Sequence, residues 1–359
     1  MSAEGIKVLK KPQFDKSKWL QMPRDVIIGH DSIEQIPKVC EDLRTGNSAL
    51  IISGRNTMKA AGGRVLDLLE DKYDVSVFTI DSISEQSIAD AEDAASGSDF
   101  LIGVGGGKPI DVAKIASYNL NRHFISVPTA ASHDGIASSR ASVPIEGGRV
   151  SLDAHPPIAI VADTAIVSKA PHRLTASGCA DVISNYTAIL DWELAHRLRG
   201  EVISEYAIAL SKMTAEILVK NANVIKPGSE EGAWMVLKAL FSSGIAMSIG
   251  GSSRPASGGE HKFSHALDIL SPDTGLHGEQ CGIGSIMTMY LHGGDWRWIR
   301  NSLRAIGAPV TPKELGIDDE VAVEALMMAR TIRPERFTVL DMGLERDCAV
   351  KLVKMLYKD

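Results

Sequence analysis

The chain has 359 residues, room for two domains at roughly 150 residues each. Its 38 Lys and Arg against 45 Asp and Glu leave a formal charge of −7, which disfavours the phosphate neutralisation that nucleic-acid binding needs. Hydrophobic residues make up 44%, no apolar run approaches the roughly 18 to 20 residues of a membrane span, and the N-terminus lacks an apolar signal segment, so a globular cytoplasmic protein without nucleic-acid or membrane partners is expected.

In chain order, short β-branched runs alternate with amphipathic segments. Ala49–Ser53, Val75–Ile80, Phe100–Val104 and Phe124–Val127 read as buried strands. Met58–Asp71, Ser84–Ser96 and Pro109–Asn119 carry helical spacing between them, and this alternation predicts a parallel sheet with helices on its faces. Val143–Leu152 breaks the rhythm as a hairpin around Gly147 and Gly148, and Ile158–Val161 is the last strand-like run. From about Ser168 the segments are helical: Ala176–Leu198, Ile203–Asn223, Glu230–Ser248, Gly259–Leu270, Gly278–Leu291, Trp296–Ile306, Glu320–Arg330 and Arg346–Tyr357. The expected fold is an α/β N-terminal domain with a parallel Rossmann-like sheet, residues 1–168, followed by an all-helical C-terminal domain, residues 169–359. The active site is expected in the cleft between them. Cys40, Cys179, Cys281 and Cys348 lie far apart with no CxxC pair, so neither a disulfide framework nor a cysteine-based zinc site is expected.

Three constellations suggest chemistry. In the first, the strand Phe100–Val104 runs into Gly105, Gly106 and Gly107, and a helix opens at Lys108-Pro109-Ile110-Asp111. Glycines let a phosphate approach the backbone, and the helix start offers N–H donors and a positive dipole end. The pattern is neither GxGxxG nor a Walker loop, and a plain tight turn competes with a pyrophosphate site. In the second, Pro128–Ser139 leaves the carboxyl end of a strand, where ligands sit in open parallel sheets. Its hydroxyl residues can bond a cofactor and Asp134 a substrate hydroxyl, while an ordinary polar loop with an Asx turn is the alternative. In the third, His261 and His265 stand at i, i+4 on one helical face, His277 precedes another helix, and Asp181 lies in an apolar helical pattern where a carboxylate needs a partner. One Asp and two His leave an open zinc position, as catalytic sites do; Lys262 stands where a zincin has its Glu, so a metalloprotease base is missing. Taken singly, each histidine is more simply a packing or capping residue.

Together, the Gly105–Asp111 turn, the Thr129–Gly135 segment, the Ala176–Asp181 helix and the stretches Glu260–Asp268 and Leu276–Gln280 resemble the sn-glycerol-1-phosphate dehydrogenases. These form a branch of the superfamily of metal-dependent glycerol and alcohol dehydrogenases and 3-dehydroquinate synthases. The resemblance covers nearly the whole chain. Its three-glycine turn is superfamily-wide, whereas Thr129–Ser138 followed by Ser252–Asp268 is specific to the branch.

The resemblance implies that Gly107, Lys108, Pro109, Ile110 and Asp111, with Thr129, Ala130, Ala131, Ser132 and Ser138, contact NAD(P). It implies that Asp134 and His265 meet the substrate, and that Asp181, His261 and His277 hold one Zn²⁺ per subunit, with Asp181 also beside the substrate. Asp134, Asp181 and His265 would then serve catalysis in a homo-oligomer. The implied reaction is reduction of dihydroxyacetone phosphate to sn-glycerol 1-phosphate, the glycerophosphate backbone of archaeal membrane phospholipids. A zinc-dependent glycerol or polyol dehydrogenase is the rival expectation, and a dehydroquinate-synthase-like lyase ranks below it. Gly54 stands where relatives restricted to NAD carry an Asp, and Arg55 follows it, so both NADH and NADPH are expected to serve. Arg254 or Lys262, close to His261 in sequence, is expected to bind the substrate phosphate.

Overall fold

The computed structural model describes residues 20–145 and 148–358. Six strands build one parallel sheet: β1 (Asp25–Gly29), β2 (Ser48–Gly54), β3 (Asp74–Ile80), β4 (Phe100–Gly105), β5 (His123–Pro128) and β8 (Ala159–Asp163). Between β5 and β8 the chain makes a separate antiparallel pair, β6 (Arg140–Ile145) and β7 (Gly148–Asp153). Of the turn expected at Gly147 and Gly148, Gly147 lies outside the described residues. The sheet order is β1-β8-β5-β4-β2-β3, so the chain leaves β2 for β3 on one side and returns to β4 on the other. In an open α/β sheet, that reversal marks a crevice at the carboxyl ends of the strands, here at Gly54 and Gly105.

Period-two alternation explains why these runs form central strands. Ala49 and Ile51 of β2, Ile102 and Val104 of β4 and Val161 of β8 join one buried cluster with the helix Ile36–Leu43. Leu50, Ile52, Leu101 and Ile160 point to the other face, and their cluster continues without a break into the helical half through Ala176, Phe263, Leu267 and Ile283. The two halves therefore share one core.

Some boundaries differ from the expectation. β1 and the helix Ile36–Leu43 were not foreseen; β1 is short and only partly buried, and it gains its place by pairing with β8. Met58–Asp71 opens instead as a five-residue π-helical turn, Met58–Gly62, before the α-helix Gly63–Leu69. Ala176–Leu198 is two helices, His172–Ile183 and Asn185–Arg199, with the Ser184 hydroxyl donating to the Asp181 carbonyl at the break (2.6 Å). By length and composition alone the helix Glu230–Gly250 could cross a membrane. It is a core helix here: Val236, Leu237 and Leu240 are fully buried in the shared cluster.

Candidate active site

Three helices bring Asp181, His261 and His277 together. Asp181 lies near the end of His172–Ile183, His261 in the first turn of Gly259–Leu270, and His277 begins His277–Leu291. Asp181 Oδ1 is 3.6 Å from His261 Nε2 and 3.9 Å from His277 Nε2. The approach of two of these helices is close, since a Cβ on Gly278 would fall 1.9 Å from the Ser177 carbonyl oxygen. His265, one turn beyond His261, stays outside the donor group, its ring centroid 6.1 Å from that of His277.

The neighbours of the two imidazoles decide which nitrogen faces Asp181. His261 Nδ1 donates to the fully buried Glu260 carboxylate at 3.0 Å, leaving the Nε2 lone pair on the Asp181 side. Ser264 gives its hydroxyl proton to Gln280 Oε1 (2.5 Å), so its oxygen accepts from His277 Nδ1 (3.1 Å) and the His277 Nε2 lone pair is also turned inward. Burial pushes both histidines well below the usual imidazole value, with neighbouring histidines repelling a proton further. Burial pushes Asp181 well above the usual carboxylate range, and Asp134 beside it adds to the rise. Two neutral nitrogens and a carboxylate crowded in this way are what a divalent cation requires. A fourth donor was not foreseen. Cys281 Sγ lies 3.7 Å from His277 Nε2, and donor atoms of Asp181, His261, His277 and Cys281 all fall within 4.8 Å of one another. The absence of a CxxC pair gave no hint of it, because a single thiol one helical turn beyond His277 has no spacing signature.

The nucleotide-turn candidates lie at the end of β4. Lys108 is exposed and Gly107 partly so, while Pro109 and Ile110 are buried beneath them. Asp111 is turned into the protein: its Oδ2 accepts from the Ser142 amide at 3.2 Å, and its Oδ1 lies 3.7 Å from the buried Lys114 ammonium. Thr129 continues β5 by donating its amide to the Gly105 carbonyl (2.9 Å), which joins the two candidate loops. Ala130, Ala131 and Ser138 are buried in the wall behind, and Ser132 is partly exposed and accepts from Ser177 Oγ through its carbonyl (3.3 Å). His133, given no role from sequence, covers the glycine turn so closely that a Cβ on Gly107 would meet its Nε2 at 2.2 Å. Asp134 ties this segment to the helical half. Its amide donates to Asp181 Oδ2 (3.1 Å), and its own carboxyl, pushed up by burial, accepts from Ser243 Oγ (2.9 Å).

Two expectations about charge are corrected. Arg254 is buried and donates to both Glu201 carboxylate oxygens and to the Phe337 carbonyl (2.9 Å). Lys262 is buried and spends its three donors on the Arg336 carbonyl and both oxygens of Asp341, at 2.9–3.0 Å. Neither is free to hold a phosphate, because partners distant in sequence already satisfy them. Arg55 does lie at the carboxyl end of β2, where it bonds Asp81 at the end of β3 (2.9 and 3.3 Å) in a largely exposed pair.

The description iron-containing alcohol dehydrogenase matches residues 27–171. A glycerol-1-phosphate dehydrogenase [NAD(P)+] of Methanoregula boonei is 69% identical over 359 residues, covering 100% of both chains. One of Methanoculleus marisnigri is 68% identical, again over 100% of both. The chain belongs to the glycerol-1-phosphate dehydrogenase family. Solved structures of this fold include a probable glycerol dehydrogenase from Sinorhizobium meliloti, with TM-score 0.78 and 22% identity over 95% of this chain and 98% of that one. Glycerol dehydrogenase from Schizosaccharomyces pombe gives 0.80 and 20%, over 95% and 90%. Within the family, the chain is an oxidoreductase built as a parallel sheet followed by helices.

Proposed function

We propose that this protein reduces dihydroxyacetone phosphate with NAD(P)H and a proton to sn-glycerol 1-phosphate, reversibly, and so supplies the glycerophosphate backbone of archaeal membrane phospholipids. The observation that carries the reading is the inward-facing set of Asp181 and two imidazole Nε2 atoms, next to Asp134 in a chain 69% identical end to end to a glycerol-1-phosphate dehydrogenase. The nucleotide belongs on residues 1–168 and the metal and substrate on residues 169–359, with Asp134 of the first part reaching the substrate across the cleft. The end of the last described strand at Asp163 and the placing of all three metal donors beyond His172 support this division. The cofactor-contact set remains Gly107 to Asp111, Thr129 to Ser132 and Ser138, with the exposed Lys108 and the partly exposed Gly107 and Ser132 as its accessible part and Asp111 and Ser138 shaping the wall. A cytoplasmic homo-oligomer is part of the same proposal.

When bound, a divalent cation, zinc in this reading, supplies Lewis acidity at the ketone oxygen, and the nicotinamide supplies the hydride. Asp181, His261 and His277 would hold the cation. Glu260 and Ser264 keep the two imidazoles in the tautomer that presents Nε2. Asp134, fixed by Ser243, orients the substrate hydroxyl, and His265 is the proton donor in this reading.

Turnover should be measured with dihydroxyacetone phosphate, unphosphorylated dihydroxyacetone and glycerol, with NADH and NADPH, and with the product's configuration determined. Selective reduction of the phosphorylated ketone to the sn-1 product is expected. Preference for an unphosphorylated polyol, or formation of the sn-3 product, would overturn the proposal.

A further inference from the structure

Asp191 lies in the helix Asn185–Arg199, fully buried, and the proposed chemistry gives it no role. A buried carboxylate is costly unless hydrogen bonds satisfy its oxygens. Those that satisfy Asp191 come from three other segments. Its Oδ2 accepts from the amide of Gly259 (2.7 Å), the first residue of the helix that carries His261. Its Oδ1 accepts from the Val339 amide (2.6 Å) and meets His292 Nε2 at 2.9 Å. A carboxylate can only accept, so the His292 ring donates.

Each contact bears on the metal donors. Gly259 stands two residues before His261, and the fit there is tight: a Cβ on Gly258 would fall 2.7 Å from Asp191 Oδ2 and 2.9 Å from the Ala188 Cα. Val339 opens the short turn Val339–Met342, whose Asp341 holds Lys262, the residue after His261. Asp191 and Asp341 thus bracket His261 on both sides in sequence, and the Val339 amide links the two anchors. His292 caps the carboxyl end of the helix that His277 begins. That helix packs directly on the His261 helix, since a Cβ on Gly284 would meet the Glu260 Cα at 2.9 Å. One buried carboxylate therefore ties the start of the His261 helix to the far end of the His277 helix.

We propose that Asp191, together with His292, is a positioning residue for the metal site: it sets where His261 stands relative to His277. It acts on the helices, whereas Glu260 and Ser264 act on the imidazoles themselves. The inference rests on the reading of Asp181, His261 and His277 as the holders of a divalent cation.

The test uses the full chain carrying Asp191→Asn, His292→Asn or both. Asp191→Asn keeps the side chain's size but replaces one accepting oxygen with an NH₂ that faces a donor. Zn²⁺ affinity is measured by chelator competition, the absorption bands of the Co²⁺-substituted protein report the ligand geometry, and urea midpoints record stability. Zinc affinity should fall about tenfold in Asp191→Asn, the lower end of the range for outer partners of metal-ligating side chains, with an altered cobalt spectrum. His292→Asn should lose less, and the double variant should bind no more weakly than Asp191→Asn, because the two residues act as one unit. Fully additive losses would overturn the pairing with His292. Val353→Ala, which opens a cavity in the helix Arg346–Met355, is the stability control. It should lower the urea midpoint and leave zinc affinity and the cobalt spectrum unchanged. Should Asp191→Asn not fold, His292→Asn decides by itself. Wild-type zinc affinity and cobalt spectrum in the folded variants overturn the inference alone. An equal loss of zinc affinity in Val353→Ala does the same, since the effect would then be one of general stability. If the wild type binds no divalent cation, the metal reading fails and the inference with it.

Discussion

Glu260 is fully buried and accepts hydrogen bonds from His261 Nδ1 (3.0 Å), the Gly258 amide (2.5 Å) and the Thr187 hydroxyl (2.8 Å). It fixes the His261 tautomer without being a proposed ligand. Glu260→Gln preserves its size but removes the anionic acceptor, so metal affinity should fall roughly 10- to 100-fold in a chelator competition. Unchanged affinity would detach Glu260 from the site. At the nucleotide end, the exposed Arg55–Asp81 pair is a weak one that a 2′-phosphate can replace. Arg55→Ala should therefore lower kcat/KM for NADPH by about tenfold relative to NADH, the lower end of the range for a charge-assisted contact. An unchanged ratio would place the 2′-phosphate away from Arg55. Asp99 offers a pH test away from the site. Its carboxylate accepts from the Asn47 and Ser48 amides and the Ser48 hydroxyl at 2.7–3.0 Å, and these bonds hold it below the usual carboxylate range. A depressed folded pKa stabilises above the unfolded value, near 4, and the gain is lost as pH falls through the lower folded value. Asp99→Asn should thus lower the urea midpoint at pH 7, with the gap from wild type closing on acidification. A gap that stays constant down to pH 2 would contradict this.

At the scale of elements, the contact between His172–Ile183 and His277–Leu291 sets the distance from Asp181 to His277. Gly278 allows it, because any side chain would collide with the Ser177 carbonyl, a backbone atom that cannot swing aside. Gly278→Ala should destabilise the fold by about 1–3 kcal/mol, as overpacking does. It should also weaken metal binding, since His277 is the next residue. Urea denaturation and metal titration of the variant would check both effects. Loss of stability with intact metal affinity would show that the donors tolerate a helix displacement. The same logic applies to the pairing of β5 with β4, where the Thr129 amide on the Gly105 carbonyl keeps the two candidate nucleotide loops in step.

At the scale of the whole molecule, the sheet and the helices share one buried cluster, yet the metal donors all lie on helices beyond His172. The Asp134 amide on Asp181, the Ser243 hydroxyl on Asp134 and the Ser177 hydroxyl on the Ser132 carbonyl tie the halves together here. A cation bound only by the folded form stabilises it by mass action, by about 2.7 kcal/mol at a hundredfold excess over Kd. Zinc should raise Tm, a chelator should reverse the rise, and His277→Ala should abolish the response together with activity. A metal-dependent Tm that persists in His277→Ala would place the cation elsewhere.

Much of the architecture was legible because it depends on short-range patterns. Alternation such as Ala49 and Ile51 against Leu50 and Ile52 marks a strand buried on both faces, and three glycines between a strand and a helix mark the turn. β1 escaped notice because five partly buried residues carry too little pattern; its partner β8 supplies the stability. The i, i+4 spacing placed His261 and His265 on one face but left open which would turn toward Asp181. Helix packing made that choice, and it also brought Cys281 in. Arg254 and Lys262 show the limit most clearly. A sequence displays their charge, but whether that charge is available depends on Glu201 and Asp341, which only the folded chain sets beside them. The sequence alone therefore determined strands, turns and candidate ligands, since periodicity and backbone demands act over a few residues. The tertiary structure decided which donors meet and which charges remain unspent, since each buried polar group takes whichever partner the fold brings within hydrogen-bond reach.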